Sequence, residues 1–236
     1  MASYYMAGGK HHEALHAISM LLEKSPGDIN ALGARADVMY SLGNYEKCIE
    51  DWNTVLAKQK GFLAYYNRGQ CFFSLGLYLQ AYGDFKNANA LGADAKVYHA
   101  MGKCLKEFGE HTNAISSYKK ALTMEPTLKE VAIDIAVAYM SLGKAGEATA
   151  YLNKALIIEP GYLVAYGFRA TLYSAMGEAK LALKDSKYLV STGQLDNDKL
   201  VPMYDLLYCV VHLNIVILGC CYVPQNLWRS VISRTR

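Results

Sequence analysis

Small and large apolar residues alternate along this chain with a long period. One set of small residues, Ala2, Ala36, Gly69, Gly102, Ala136 and Ala170, is followed three positions later by Tyr5, Met39, Phe72, Leu105, Tyr139 and Tyr173. A second set, Ala14, Cys48, Ala81, Ala114 and Ala148, is followed four positions later by Ile18, Trp52, Phe85, Tyr118 and Leu152, and continues with Ala182 and Ser186. Spacings of three and four keep both members of a pair on one helix face. Each period therefore predicts two helices, with small side chains where they cross and large ones filling the grooves. The aromatic residues at these positions are predicted to be core.

Between the two helical patterns stands a glycine: Gly9, Gly43, Gly76, Gly109, Gly143 and Gly177, separated by 34, 33, 33, 34 and 34 residues. A residue free to take the left-handed conformation ends one helix and turns the chain into the next. Pro26, Pro126 and Pro160 share a place just beyond a second helix, where proline stops it. A fixed period of this length signals stacked helix-turn-helix units rather than one globular core.

These coincident periods resemble the tetratricopeptide repeat over about Met1 to Val190, with the stretch from Ala95 to Leu128 as the most regular copy. The departures are Lys60 and Ala93 for the terminal proline, Ala145 and Ala179 for the aromatic after the turn, and Ser186. The resemblance implies an all-α fold, an α-solenoid of tandem antiparallel helix-turn-helix units wound as a right-handed superhelix. The units fall at 1–28 (incomplete), 29–61, 62–94, 95–128, 129–162 and 163–195, with a non-repeat apolar tail at 196–236. Met1 falls inside the expected first helix, so part of that helix is expected to be missing.

Composition changes this picture little. The chain is 53% hydrophobic and 19% charged with net charge +3, neither disordered nor basic enough for a nucleic-acid footprint. Six cysteines show no C-x-x-C pair or zinc-module spacing. Cys48, Cys71 and Cys104 are expected to be reduced, buried thiols. There is no Asn-x-Ser/Thr acceptor and no apolar leader, which favours a cytoplasmic location. Leu206 to Val223 is nearly uninterrupted apolar sequence apart from His212 and Asn214. It reads as a membrane span of marginal length, as a helix capping the last unit, or as a non-native terminus. Membrane association thus stays open.

His12-Glu13-Ala14-Leu15-His16 matches the H-E-x-x-H zinc-protease helix, but it lies on a repeat helix with no third ligand in view, so the match is read as accidental. No phosphate loop or nucleophile elbow is present. The expectation is a non-enzymatic scaffold without cofactor or metal.

The family resemblance implies that the first helices of successive units line a concave groove that binds a peptide or partner helix. With packing positions removed, helical spacing leaves Tyr66, Asn67, Gln70 and Phe73 on one first helix and Lys96, His99, Lys103 and Lys106 on the next. The second group forms a cationic stripe suited to a carboxylate or acidic peptide, or else a plain solvated face. Asn67 and Lys96 also occupy two positions of the carboxylate clamp by which some co-chaperones of this family hold a chaperone C-terminus. Gly33, Asp37 and Ala100 stand where the clamp needs Lys, Asn and Arg. A competing class is a repeat region belonging to a larger enzyme or membrane protein.

Overall fold

The computed structural model describes residues 11–192, as eleven helices with no strand among the described residues. They are α1 (His11–Lys24), α2 (Ile29–Ser41), α3 (Tyr45–Lys58), α4 (Phe62–Ser74), α5 (Tyr78–Leu91), α6 (Ala95–Glu107), α7 (His111–Met124), α8 (Lys129–Ser141), α9 (Ala145–Ile158), α10 (Leu163–Ala175) and α11 (Ala179–Ser191). The expected first helix of the opening unit and the apolar tail lie outside the described residues. The chain divides into two compact units, Met1–Phe168 and Arg169–Arg236.

Within the first unit each helix packs on the next in sequence, and α2 also reaches α4. This is the nearest-neighbour arrangement of a solenoid. The turns inside the helix pairs follow one design. At Gly109 the backbone takes φ 76°, its N–H donates to the Lys106 carbonyl, and the N–H of Glu110 reaches the Leu105 carbonyl. Those bonds satisfy carbonyls that the end of α6 would otherwise leave unpaired, and a Cβ at this φ would be strained. Gly43, Gly76, Gly143 and Gly177 share the positive φ. Helix starts are fixed more variously: the Asp28 side chain accepts from the N–H groups of Asn30 and Ala31, and Asp94 from that of Lys96.

The large residues of the second helices, Ile18, Trp52, Phe85, Tyr118 and Leu152, are buried as expected. In the first helices the pattern differs. Val38, Cys71, Cys104 and Ala138, two positions after the small residue, are fully buried, whereas Met39, Phe72 and Tyr139 are only half-buried. The reason is that a first helix is covered on two sides. Its small residue faces its own second helix, where a Cβ on Gly69 would lie 2.7 Å from the Phe85 ring. Two residues further is about 200° around the helix, and that face meets the preceding pair.

Cys71 occupies such a position and is disulfide-bonded to Cys48 on α3, with their Cα atoms 6.7 Å apart. This corrects the expectation of two reduced thiols: the packing of consecutive pairs brings together cysteines 23 residues apart, which no local spacing rule anticipates. Disulfides persist in oxidising compartments and are short-lived in a reducing cytosol, so this bond gives the cytoplasmic expectation no support. Cys104 is a free, buried thiol, and burial pushes its pKa up to about 12.

Three helix pairs share an ion pair that spacing alone left unremarked. Arg35 donates twice to Asp51, at 2.8 and 2.6 Å, and Arg68 twice to Asp84, both at 2.7 Å. In the second unit Arg169 donates to Asp185 at 2.7 and 2.8 Å. All three aspartates are buried, and each arginine is sixteen residues upstream of its partner. The same register holds Met101 with Ser117 and Ile135 with Tyr151 in the two central pairs. There Lys119 sits over the stacked rings of Tyr139 and Tyr151 instead.

Candidate functional site

The first helices of the first unit are tied to one another along one face by side chains. From α4 to α2, Asn67 Nδ2 donates to Asp37 Oδ1 at 3.2 Å and Ser74 Oγ lies 3.4 Å from Tyr40 Oη. From α6 to α4, the Lys103 ammonium stands 5.3 Å from the centre of the Phe73 ring. From α6 to α8, His99 Nε2 is 2.6 Å from Asp134 Oδ2. The helical phase that leaves these residues out of the core is thus the phase that brings α2, α4, α6 and α8 into lateral contact.

The predicted residues separate into three groups. Tyr66, Asn67 and Gln70 line a cavity of about 280 Å³ with Asp37, Tyr40, Ser41, Cys48 and Trp52. Tyr66 stacks on Phe62 with rings nearly parallel, accepts from Gln70 Nε2 at 3.3 Å, and has its phenol pKa pushed up, first by burial and then by Asp94 and Tyr40. Phe73 and Lys103 make a second cluster, Phe73 also packing on Tyr78 at 5.2 Å between ring centres. The cationic stripe is less uniform than its sequence. His99 is paired with Asp134 and lies edge-on to Tyr118, and Lys106 reaches Glu107 at 3.2 Å. Lys96 and Lys103 have no carboxylate on their ammonium groups among the described residues.

The sequence reading placed Asp37 on this face and left out Trp52. Asp37 is a half-buried carboxylate, its pKa raised by burial. Trp52, on α3, lines the same cavity as Asp37 and also an adjoining recess of about 570 Å³ that includes Gly33, Ala34, Phe62 and Leu63. Gly33 gave the signal, since a Cβ there would come within 3.2 Å of the Trp52 ring.

His12, Glu13 and His16 are all exposed on α1, and no group of three potential metal ligands comes together among the described residues. No helix among them is long and apolar enough to cross a membrane. The stretch Leu206 to Val223 lies outside them.

A family model described as tetratricopeptide repeat matches residues 95–128 and 130–162. The chain carries tetratricopeptide repeats. Among solved structures it is similar to MamA, at 25% identity over 68% of this chain and 95% of that one, with a TM-score of 0.64. It is similar in fold to PilW, described as a widely conserved type IV pilus biogenesis factor, at 19% identity over 86% of this chain and 94% of that one, with a TM-score of 0.78. A third similar structure is YrrB, described as a tetratricopeptide-repeat protein with an unusual peptide-binding site, at 16% identity over 80% and 97%, with a TM-score of 0.62. A search of curated proteins gave no match. Tetratricopeptide repeats form protein-interaction scaffolds, and the repeats of this chain make such a scaffold.

Proposed function

We propose that the face formed by α2, α4, α6 and α8 docks an extended segment of a protein partner, and that the segment is acidic where it crosses α6. The observation that carries this reading is the state of Lys103. Its ammonium is held over Phe73 at the junction of two first helices, and neither it nor that of Lys96, two turns away on the same helix, meets a carboxylate among the described residues. A cation positioned over a ring keeps its remaining hydrogen-bond donors for an incoming acceptor. The neighbouring amides of Asn67 and Gln70 add donors for the backbone of an extended chain.

A chaperone-type carboxylate clamp fits less well. Asp37 places a negative charge where the clamp needs an amide, and Gly33 and Ala100 add no cation. A terminal carboxylate there would meet repulsion rather than bidentate recognition.

The test is titration of fluorescent acidic peptides against the wild-type chain and Lys103→Glu. A charge-assisted hydrogen bond is worth about 1.5–3 kcal/mol, so affinity is expected to fall about tenfold or more. Equal affinity of the two proteins would sink the acidic assignment.

A further inference from the structure

The carboxylates of the first unit's described residues that leave solvent have their charge or lone pairs occupied, with one exception. Asp51 and Asp84 are each clasped by an arginine, Asp134 meets His99, and Asp94 caps a helix. Asp37 is half-buried and accepts one hydrogen bond, from the neutral amide of Asn67. No cation lies against it among the described residues. Burial raises its pKa, and no favourable charge offsets that.

The walls around it are partly aromatic. Tyr40, Trp52 and Tyr66 line the same cavity, with Gln70, whose amide donates to the Tyr66 hydroxyl. A carboxylate in a cavity shared with three aromatic side chains suits a cation on an apolar stem: the carboxylate takes charge-assisted hydrogen bonds, while the aromatic surface covers the methylenes. At about 280 Å³ the cavity falls below the ~300–1,000 Å³ of small-molecule pockets. Its scale is that of one side chain. The adjoining recess past Gly33 shares Asp37 and Trp52, so a chain delivering that side chain can continue along the face.

We infer that the recess between α2, α3 and α4 is a subsite for one lysine or arginine side chain of the docked segment. This rests on the docking reading of the same face and adds to it. The partner segment carries charges of both signs, basic where it passes Asp37 and acidic where it passes Lys103. The unpaired carboxylate makes the two subsites electrostatically opposite, which fixes the direction in which the segment lies.

The experiment selects a displayed random-peptide library on the full wild-type chain, Asp37→Asn, Asp37→Lys and Lys103→Glu. Wild type is expected to enrich peptides with a lysine or arginine at a fixed spacing from an aspartate or glutamate. Asp37→Asn is expected to lose the basic preference, keep the acidic one, and bind the wild-type consensus about tenfold more weakly. Asp37→Lys is expected to select an acidic residue in place of the basic one, a gain that misfolding cannot produce. Lys103→Glu is expected to lose only the acidic preference. A wild-type pool with an acidic but no basic preference overturns the subsite alone, as does a basic preference that survives in both Asp37 variants. Failure of wild type to enrich any peptide overturns the docking reading and the subsite with it.

Discussion

An Arg68→Ala variant is expected to lose about 3–5 kcal/mol of unfolding free energy, the range for breaking a buried ion pair on one side. Asp84 is 4% exposed, and Arg68 supplies both of its side-chain hydrogen bonds. Without the guanidinium the carboxylate must stay buried unpaired or protonate, and either is costly. The loss extends beyond the pair. Arg68 also donates to Asn53 on the preceding pair at 2.7 Å and covers the rings of Tyr65 and Phe72, so its removal loosens a junction between helix pairs.

The chain itself holds the control. The next helix pair has Met101 and Ser117 at the equivalent positions. Arg68→Met combined with Asp84→Ser is therefore expected to recover more than half of the stability lost by Arg68→Ala, because no buried charge is stranded. Urea unfolding followed by circular dichroism measures both. A double variant as unstable as the single one would show that the pair's charge is not what matters.

A second large effect is expected at Gly102. A Cβ there would lie 2.4 and 2.5 Å from two ring carbons of Tyr118, which is fully buried and has no hydrogen-bond partner on its hydroxyl. The ring cannot retreat without entering space held by neighbours, and overpacking of this kind costs about 1–3 kcal/mol, occasionally more. Gly102→Ala is expected at the upper end of that range, since the backbone of α6 is itself one wall of the contact. The following pair resolves the same crossing as Ala136 with Leu152. A double-mutant cycle of Gly102→Ala with Tyr118→Leu is thus expected to show a favourable coupling of at least ~1 kcal/mol. Additive losses would mean that the ring and the glycine do not constrain each other.

The helices, their crossings and their turns were legible because each is written several times at one period, as with Gly43, Gly76, Gly109 and Gly143. The arginine–aspartate pairs were legible in principle, recurring at 35/51, 68/84 and 169/185. They escaped because the pattern skips the two central pairs and joins residues on different helices. The face was legible only as a set of positions. That His99 is spent on Asp134 while Lys103 is not depends on how neighbouring helices are phased, which periodicity within one helix does not encode. Asp37 was legible as a position on this face but not as a site: its interest lies in the lack of a cationic partner among the described residues, visible only once every other partner is assigned.

The side-chain ties between first helices have a mechanical meaning. Contacts in the first unit reach little beyond the adjacent pair, so its bending is the sum of small rotations at successive joints. The Asp37–Asn67, Tyr40–Ser74, Phe73–Lys103 and His99–Asp134 contacts act as latches along one side of those joints. A chain docked as proposed that competed for one latch would slacken a single joint and leave the packed layer behind it untouched. Compliance would then be local, the face adjusting to the bound chain one joint at a time.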